Sequence, residues 1–177
     1  MSYFADLQSA LATLDEMPLD DLYRLVVETK RRNGTLWLAG NGGSMATALH
    51  WATDLSKRGG IRTQVLGANQ ALLTAWANDT DYRAALRNEL RQCIHPYDSL
   101  IVISCSGRSP NIVMLMREMW LNKQPYMLLT GSQPPFPTPL RYIIQVDSTN
   151  YGIIEDCHLA IGHWLTERLV SEQQNYG

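Results

Sequence analysis

Two pairs of side chains in this sequence have the types and spacing to do chemistry. His50 and Asp54 stand four residues apart, which puts both on one face of a helix. Glu155 and His163 stand eight apart, two helical turns, within about 80° of each other around a helix axis. Two imidazoles and two carboxylates are a donor set that zinc accepts, and the same groups give and take protons. The residues alone leave a plainer reading open, in which each histidine is hydrogen-bonded on its helix and each carboxylate is solvated.

Two turns carry a second kind of chemistry. Gly40-Asn41-Gly42-Gly43-Ser44 follows the apolar run Leu36 to Ala39 and opens a segment with Met45, Ala48, Leu49, Ala52 and Leu55 at helical spacing. Ser104-Cys105-Ser106-Gly107-Arg108-Ser109-Pro110-Asn111 follows Leu100 to Ile103 and precedes Ile112, Leu115, Met116 and Met119, again at helical spacing. A strand that enters a tight turn at a helix start aims backbone N–H groups and the positive end of the helix dipole at an anion. No lysine follows the glycines as a P-loop requires, and no spaced G-x-G-x-x-G is present, so a small phosphoester such as a sugar phosphate fits better than a nucleotide. Small residues also punctuate such junctions with no ligand at all. His50 and Asp54 ride on the helix that starts at the glycine turn, about half a revolution from the Met45/Leu49/Ala52 stripe. His95 and His158 receive no role.

The elements that must position these groups alternate. Apolar runs at 36–39, 63–66, 100–103, 126–130 and 142–146 read as strands, and helical patterns lie between them at 69–76, 82–92, after Asn111, and from about Ser148 to Glu172. Continuous apolar strands alternating with helices predict an α/β fold, a parallel sheet covered on both faces. In such a sheet both turns lie at the carboxyl edge, where ligands bind. Gly131 to Pro139 is too proline-rich for a helix and reads as a loop. Upstream, residues 1–34 form a helical hairpin: a first helix carries Leu7, Ala10, Leu11 and Leu14, and a second runs from Pro18, with Asp20 and Asp21 in its first turn, to an Asn33-Gly34 stop. The hairpin belongs to the same domain as residues 35–177. Apolar surface on Leu7, Leu11 and Leu14, and work for both faces of the last helix (Ile153, Cys157, Ile161 against Leu159, His163), predict packing against another copy of the chain.

At 177 residues the chain is long enough to bury one full core. A formal net charge of -2 argues against nucleic acid or an anionic membrane as partner. No stretch reaches the roughly 18 unbroken apolar residues of a membrane span. Cys93, Cys105 and Cys157, odd in number and far apart, read as reduced thiols in a cytoplasmic protein.

Taken together, Gly40-Asn41-Gly42-Gly43-Ser44, His50, Asp54, the Ser104-x-Ser106-Gly107-x-Ser109-x-Asn111 turn, Glu155 and His163 resemble the sugar isomerase (SIS) domain family, most of all its phosphoheptose isomerases. The resemblance runs from about Thr35 to Val170. It implies a three-layer αβα sandwich on a five-stranded parallel sheet and a homotetramer with active sites between subunits. It implies an aldose-ketose isomerase that interconverts sedoheptulose 7-phosphate and D-glycero-D-manno-heptose 7-phosphate through an enediol. Asn41, Gly42, Gly43, Ser44, Ser104, Cys105, Ser106 and Ser109 would hold the phosphate, Cys105 standing where the family often has Thr. Arg58 and Asp79 match further pocket positions. His50, Asp54, Glu155 and His163 match the zinc and proton-transfer positions, with Asp54 as base, Glu155 as a second base and His163 as acid. Asp54 stands where the family typically has Glu, and Glu155 where it has Gln. The alternative within the family is a non-catalytic protein that binds a phosphosugar or a partner, like members that assist the bacterial replication initiator.

Overall fold

Strand residues alternate between two cores, and that alternation defines the architecture of the computed structural model, which describes residues 2–131 and 142–175, with side chains to 172. Leu36, Leu38, Ile101, Ile103, Met127, Leu129 and Ile144 face one cluster, while Trp37, Ala39, Leu100, Val102, Tyr126 and Leu128 face the other. The strands are β1 (Leu36–Ala39), β2 (Thr63–Val65), β3 (Ser99–Ile103), β4 (Tyr126–Thr130) and β5 (Ile143–Gln145). All pair in parallel in the order β2-β1-β3-β4-β5. The inner strands β1, β3 and β4 are buried throughout. The edge strands β2 and β5 each expose a residue, as an edge permits. Most of the proline-rich stretch expected to be a loop lies outside the described residues.

Helices cover both faces: α1 (Tyr3–Ala12), α2 (Glu16–Arg31), α3 (Gly43–Lys57), α4 (Gln70–Asp79), α5 (Tyr82–Cys93), α6 (Pro110–Leu121) and α7 (Tyr151–Asn175). Leu22 and Val26 of α2, Ala48, Trp51 and Leu55 of α3, and Ile161, Leu165 and Leu169 of α7 fill the first core. Leu86 and Leu90 of α5 and Ile112, Leu115, Met116 and Met119 of α6 fill the second. Among the described residues no helix is long and apolar enough to cross a membrane.

Local differences from the sequence reading have identifiable causes. α2 begins before Pro18, because Asp15 accepts a hydrogen bond from Met17 N at 3.0 Å and caps the helix; Pro18 then sits harmlessly in the first turn, and Glu16 takes the place by the dipole expected of Asp20 and Asp21. The fully buried face of α3 is Ser44, Thr47, Ala48, Trp51 and Leu55; of the Met45/Leu49/Ala52 stripe, Met45 and Ala52 pack against the same core partly buried, and Leu49 is exposed. Trp51 decides this: its indole is fully buried and donates to the His158 carbonyl at 3.1 Å. Burying that ring outweighs any smaller stripe. Leu7 and Leu14, expected on an unassigned surface, pack within the chain, whereas Phe4 is 80% exposed. Asp98 ties β1 to the loop before β3, accepting from Thr35 N, Trp37 Nε1 and His95 N.

Candidate functional site

The order β2-β1-β3 makes β1 and β3 neighbours whose outgoing connections diverge, and the two turns foreseen in the sequence are those connections. This is the switch point at which open α/β sheets bind ligands. Gly42, at the start of α3, has φ 53° and ψ −123°, a conformation side chains resist, and no side chain caps the helix behind it. α6 likewise starts at Ser109 and Pro110 with no side-chain cap. Two helix N-termini thus meet at one sheet edge, α3 with its first backbone N–H groups uncapped by side chains and α6 with Ile112 N alone taken by a side chain, that of Asn111.

Amides lock the turns together. Asn41 Nδ2 donates to Asn111 Oδ1 at 3.0 Å, and Asn111 Nδ2 donates back to Asn41 Oδ1 at 2.8 Å. Each carbonyl takes a second donor, Tyr82 Oη at 3.1 Å for Asn41 and Ile112 N at 3.0 Å for Asn111. Both amide oxygens are therefore saturated, and Asn41 has a single N–H left for a ligand. In the serine turn, Ser104 Oγ accepts from Gly107 N and Ser106 Oγ from Arg108 N, both at 3.2 Å, which shapes the loop and orients the hydroxyls. Ser44 is buried. Cys105 is buried beneath the same edge, and burial first, then the Glu155 charge, pushes its thiol above the usual range. It is not a reactive thiolate.

Farther along α3 lies the second constellation. α3 and α7 lie side by side, and His50 Nε2 stands 3.1 Å from His163 Nε2 and 3.4 Å from Asp54 Oδ2. His163 Nε2 to Asp54 Oδ2 is 3.9 Å. Zinc bonds near 2.0–2.1 Å at tetrahedral angles set donor atoms about 3.3–3.4 Å apart, so the three atoms fit one cation. Both imidazoles are about half exposed, 49% and 50%, and Asp54 is 23% exposed. One side of the trio is open to a further ligand.

Glu155 is not in that cluster. One helix carries it two turns before His163, and its carboxylate lies against Gly43, where an added Cβ would come within 2.7 Å of Glu155 Cδ. Its Oε1 is 3.9 Å from Cys105 Sγ. Of the four residues expected to share a metal, His50, Asp54 and His163 lie together and Glu155 lies apart, because α3 and α7 run the same way and pair Glu155 with the glycine turn while pairing His163 with His50. A carboxylate there is favoured by the helix dipole.

Two other expected pocket residues stand apart. Arg58, the C-cap of α3, pairs with Glu167 of α7 at 2.7 Å, an exposed bridge worth little energetically. Asp79 ends α4, exposed, accepting from Asn78 Nδ2. Sequence reasoning missed Tyr82, which an N-cap at Asp81 brings over Asn41. It also missed His158, whose ring is fully buried with neither nitrogen hydrogen-bonded among the described residues, so that burial pushes its pKa down to about 3.

Known proteins share this fold. A profile of the SIS domain matches residues 1–119. A phosphoheptose isomerase of Chlorobaculum parvum is 30% identical over 99% of this chain and 88% of its own. Among solved structures, a phosphoheptose isomerase from Neisseria gonorrhoeae superposes with a TM-score of 0.85 at 23% identity, covering 94% of this chain and 92% of that one. Another from Francisella tularensis gives 0.84 at 21% identity, covering 96% and 95%.

Proposed function

Because the chain belongs to the SIS domain family and is a phosphoheptose isomerase-like enzyme acting on a sugar phosphate, we propose that it interconverts sedoheptulose 7-phosphate and D-glycero-D-manno-heptose 7-phosphate. The observation that carries this reading is the convergence of His163 of α7 with His50 and Asp54 of α3, the helix that begins at the glycine turn.

The phosphate sits against the Gly42-Gly43-Ser44 and Ser104–Ser109 turns, where backbone N–H groups and the hydroxyls of Ser44, Ser104, Ser106 and Ser109 receive it. From Ser44, His50 and Asp54 lie roughly 9 and 15 Å along the helix rise. A seven-carbon sugar phosphate spans a comparable length, which brings its carbonyl end beside the trio. The Asp54 carboxylate removes the proton from the carbon next to the carbonyl, and the C–H electron pair becomes the double bond of an enediol as the carbonyl oxygen gains a proton. His163 carries that proton on Nδ1, since its Nε2 faces His50 and Asp54. Asp54 then returns the proton to the former carbonyl carbon, while the hydroxyl on the carbon first deprotonated gives its proton back to His163 Nδ1 and its oxygen becomes the new carbonyl, which completes the exchange. A divalent cation, zinc by its donor preference, held by His50, Asp54 and His163 would supply Lewis acidity at the carbonyl oxygen. Glu155, at the phosphate end, orients the ligand and is not the base.

The working form in this proposal is a cytoplasmic homotetramer, or at least a dimer. Supporting it are the exposed Phe4 and Met17, the groove of about 600 Å³ between the hairpin and α7 lined by Leu11, Leu14, Leu19 and Trp164, and the open side of the trio. A monomeric mass by light scattering at micromolar concentration would overturn the assembly. The activity is tested by following aldose formation from sedoheptulose 7-phosphate, with metal content measured on the same preparation. Turnover that requires the bound cation is expected; a metal-loaded protein that binds the sugar phosphate without turning it over is instead a phosphosugar-binding protein.

A further inference from the structure

On the opposite face of the sheet from the trio, α5 and α6 enclose a groove of about 440 Å³ walled by Arg83, Arg87, Arg91 and Arg117. Three of these recur every four residues on α5, a like-charge stripe that weakens a helix in isolation. Ion pairs hold only two of the four, Asp81 with Arg83 at 2.6 Å and Glu118 with Arg91 at 2.7 Å, and the Glu118 charge also acts on Arg87 from farther off. Arg87 gives one N–H to Asn88 Oδ1, while its Nε is shut away from solvent with no partner among the described residues. Arg117 faces it from α6, exposed, with no ion pair among the described residues. In a chain of net charge -2 this is a local surplus of two positive charges in one concave place. The floor and rim are apolar: Pro110, Val113, Met114 and an exposed Leu121.

We propose that the α5/α6 groove is a second binding site, for a phosphorylated small molecule of the nucleoside diphosphate class. Arginine guanidinium groups match phosphate oxygens, and Arg87 and Arg117, neither of them held in an ion pair among the described residues, suit two adjacent phosphates. The apolar rim accepts a base or other ring, and the groove has the volume of small-ligand pockets. A basic footprint confined to one groove is too small for a nucleic acid. Pro110 borders both this groove and the Ser104–Ser109 turn, so a ligand here touches the chain directly beside the cradle.

The test is calorimetric titration of the full chain with ADP, pyrophosphate and adenosine, in wild type, Ser106→Ala, Arg87→Gln and Arg117→Gln. Wild type and Ser106→Ala are expected to bind ADP and pyrophosphate alike, ADP more tightly, and adenosine not at all. Each arginine variant should weaken ADP binding about tenfold or more. Arg117→Gln changes an exposed side chain, so its circular dichroism and its isomerase turnover should match wild type. The proposal is overturned if neither ADP nor pyrophosphate binds at millimolar concentration, if binding is lost in Ser106→Ala, or if Arg117→Gln binds as wild type does. A glutamate-rich peptide that binds where ADP does not would also overturn it and make the groove a protein-docking surface. Failure of any of these leaves the turnover assay above untouched.

Discussion

At the start of the α3–α7 pair, contacts are made by backbone, a saturated pair of amides and the buried Ser44; two turns farther on, at His50, Asp54 and His163, they are made by side chains about half or a quarter exposed. The first region is set by the fold. Its glycine conformation, helix starts and Asn41–Asn111 exchange all follow from how β1 and β3 hand the chain to their helices. The second is set by register between two helices, and one shifted side chain would dissolve it. The cradle end should thus tolerate loss of single groups with graded effects, and the trio end should not.

The largest expected effect is at the trio. His163→Ala should remove the bound divalent cation and lower turnover about 10²–10⁴-fold, read by metal analysis and kcat. Cation loss in the wild type should also follow acidification, since imidazoles must be neutral to ligate. A His163→Ala protein that keeps both metal and rate would erase the contrast between the two ends.

Next comes the cradle. Ser106→Ala should raise the apparent KM for sugar phosphate about 10–100-fold with kcat little changed, because a hydrogen bond to a charged ligand contributes on the order of 1.5–3 kcal/mol. An unchanged KM would place the phosphate elsewhere.

His158 lies behind both ends, in the buried stripe of α7 with Ile154, Ile161 and Leu165. Its pKa is about 3 in the fold against 6.5 unfolded, so between those values the unfolded chain binds a proton that the folded chain does not. This contribution is fully present above about pH 6.5 and is lost as pH falls, at up to about 1.4 kcal/mol per pH unit. His158→Leu, of similar volume, should flatten that acid slope in denaturant titrations while sparing metal and turnover. A slope that persists would assign the acid sensitivity to other groups.

The smallest effect is expected from Glu155→Gln, which removes a negative charge from the mouth of α3. Inorganic phosphate should bind a few-fold more tightly, on the order of the 0.3–1 kcal/mol of a helix-end charge. Unchanged or weaker phosphate binding would show that the Glu155 charge does not oppose an anion at the start of α3.

The sheet was legible because each strand is a short apolar run bounded by turn residues, and parallel pairing follows from alternation with helices. His50, Asp54 and His163 were legible through their spacing and their likeness to a known family. Glu155 lies apart from the other three for a physical reason: helical angle tells which face a residue shares, but position along the axis decides which neighbour it meets. Two turns separate Glu155 from His163, and α3 runs beside α7 in the same sense. Trp51 was overlooked because a stripe of smaller apolar residues matched the helical period equally well. His158 was overlooked because burial of a polar ring leaves no trace in sequence spacing; its neighbours Ile154 and Ile161 are the only hint.

The Asn41–Asn111 exchange has a consequence for ionic strength. Its four hydrogen bonds involve no net charge, so dissolved ions have little to screen, whereas attraction between the two helix starts and a phosphate dianion weakens as the Debye length shrinks from about 10 Å at 0.1 M salt to about 3 Å at 1 M. The spacing of the turns therefore stays fixed under conditions that drive the ligand off. Brine should empty this cradle without deforming it, and dilution alone should refill it.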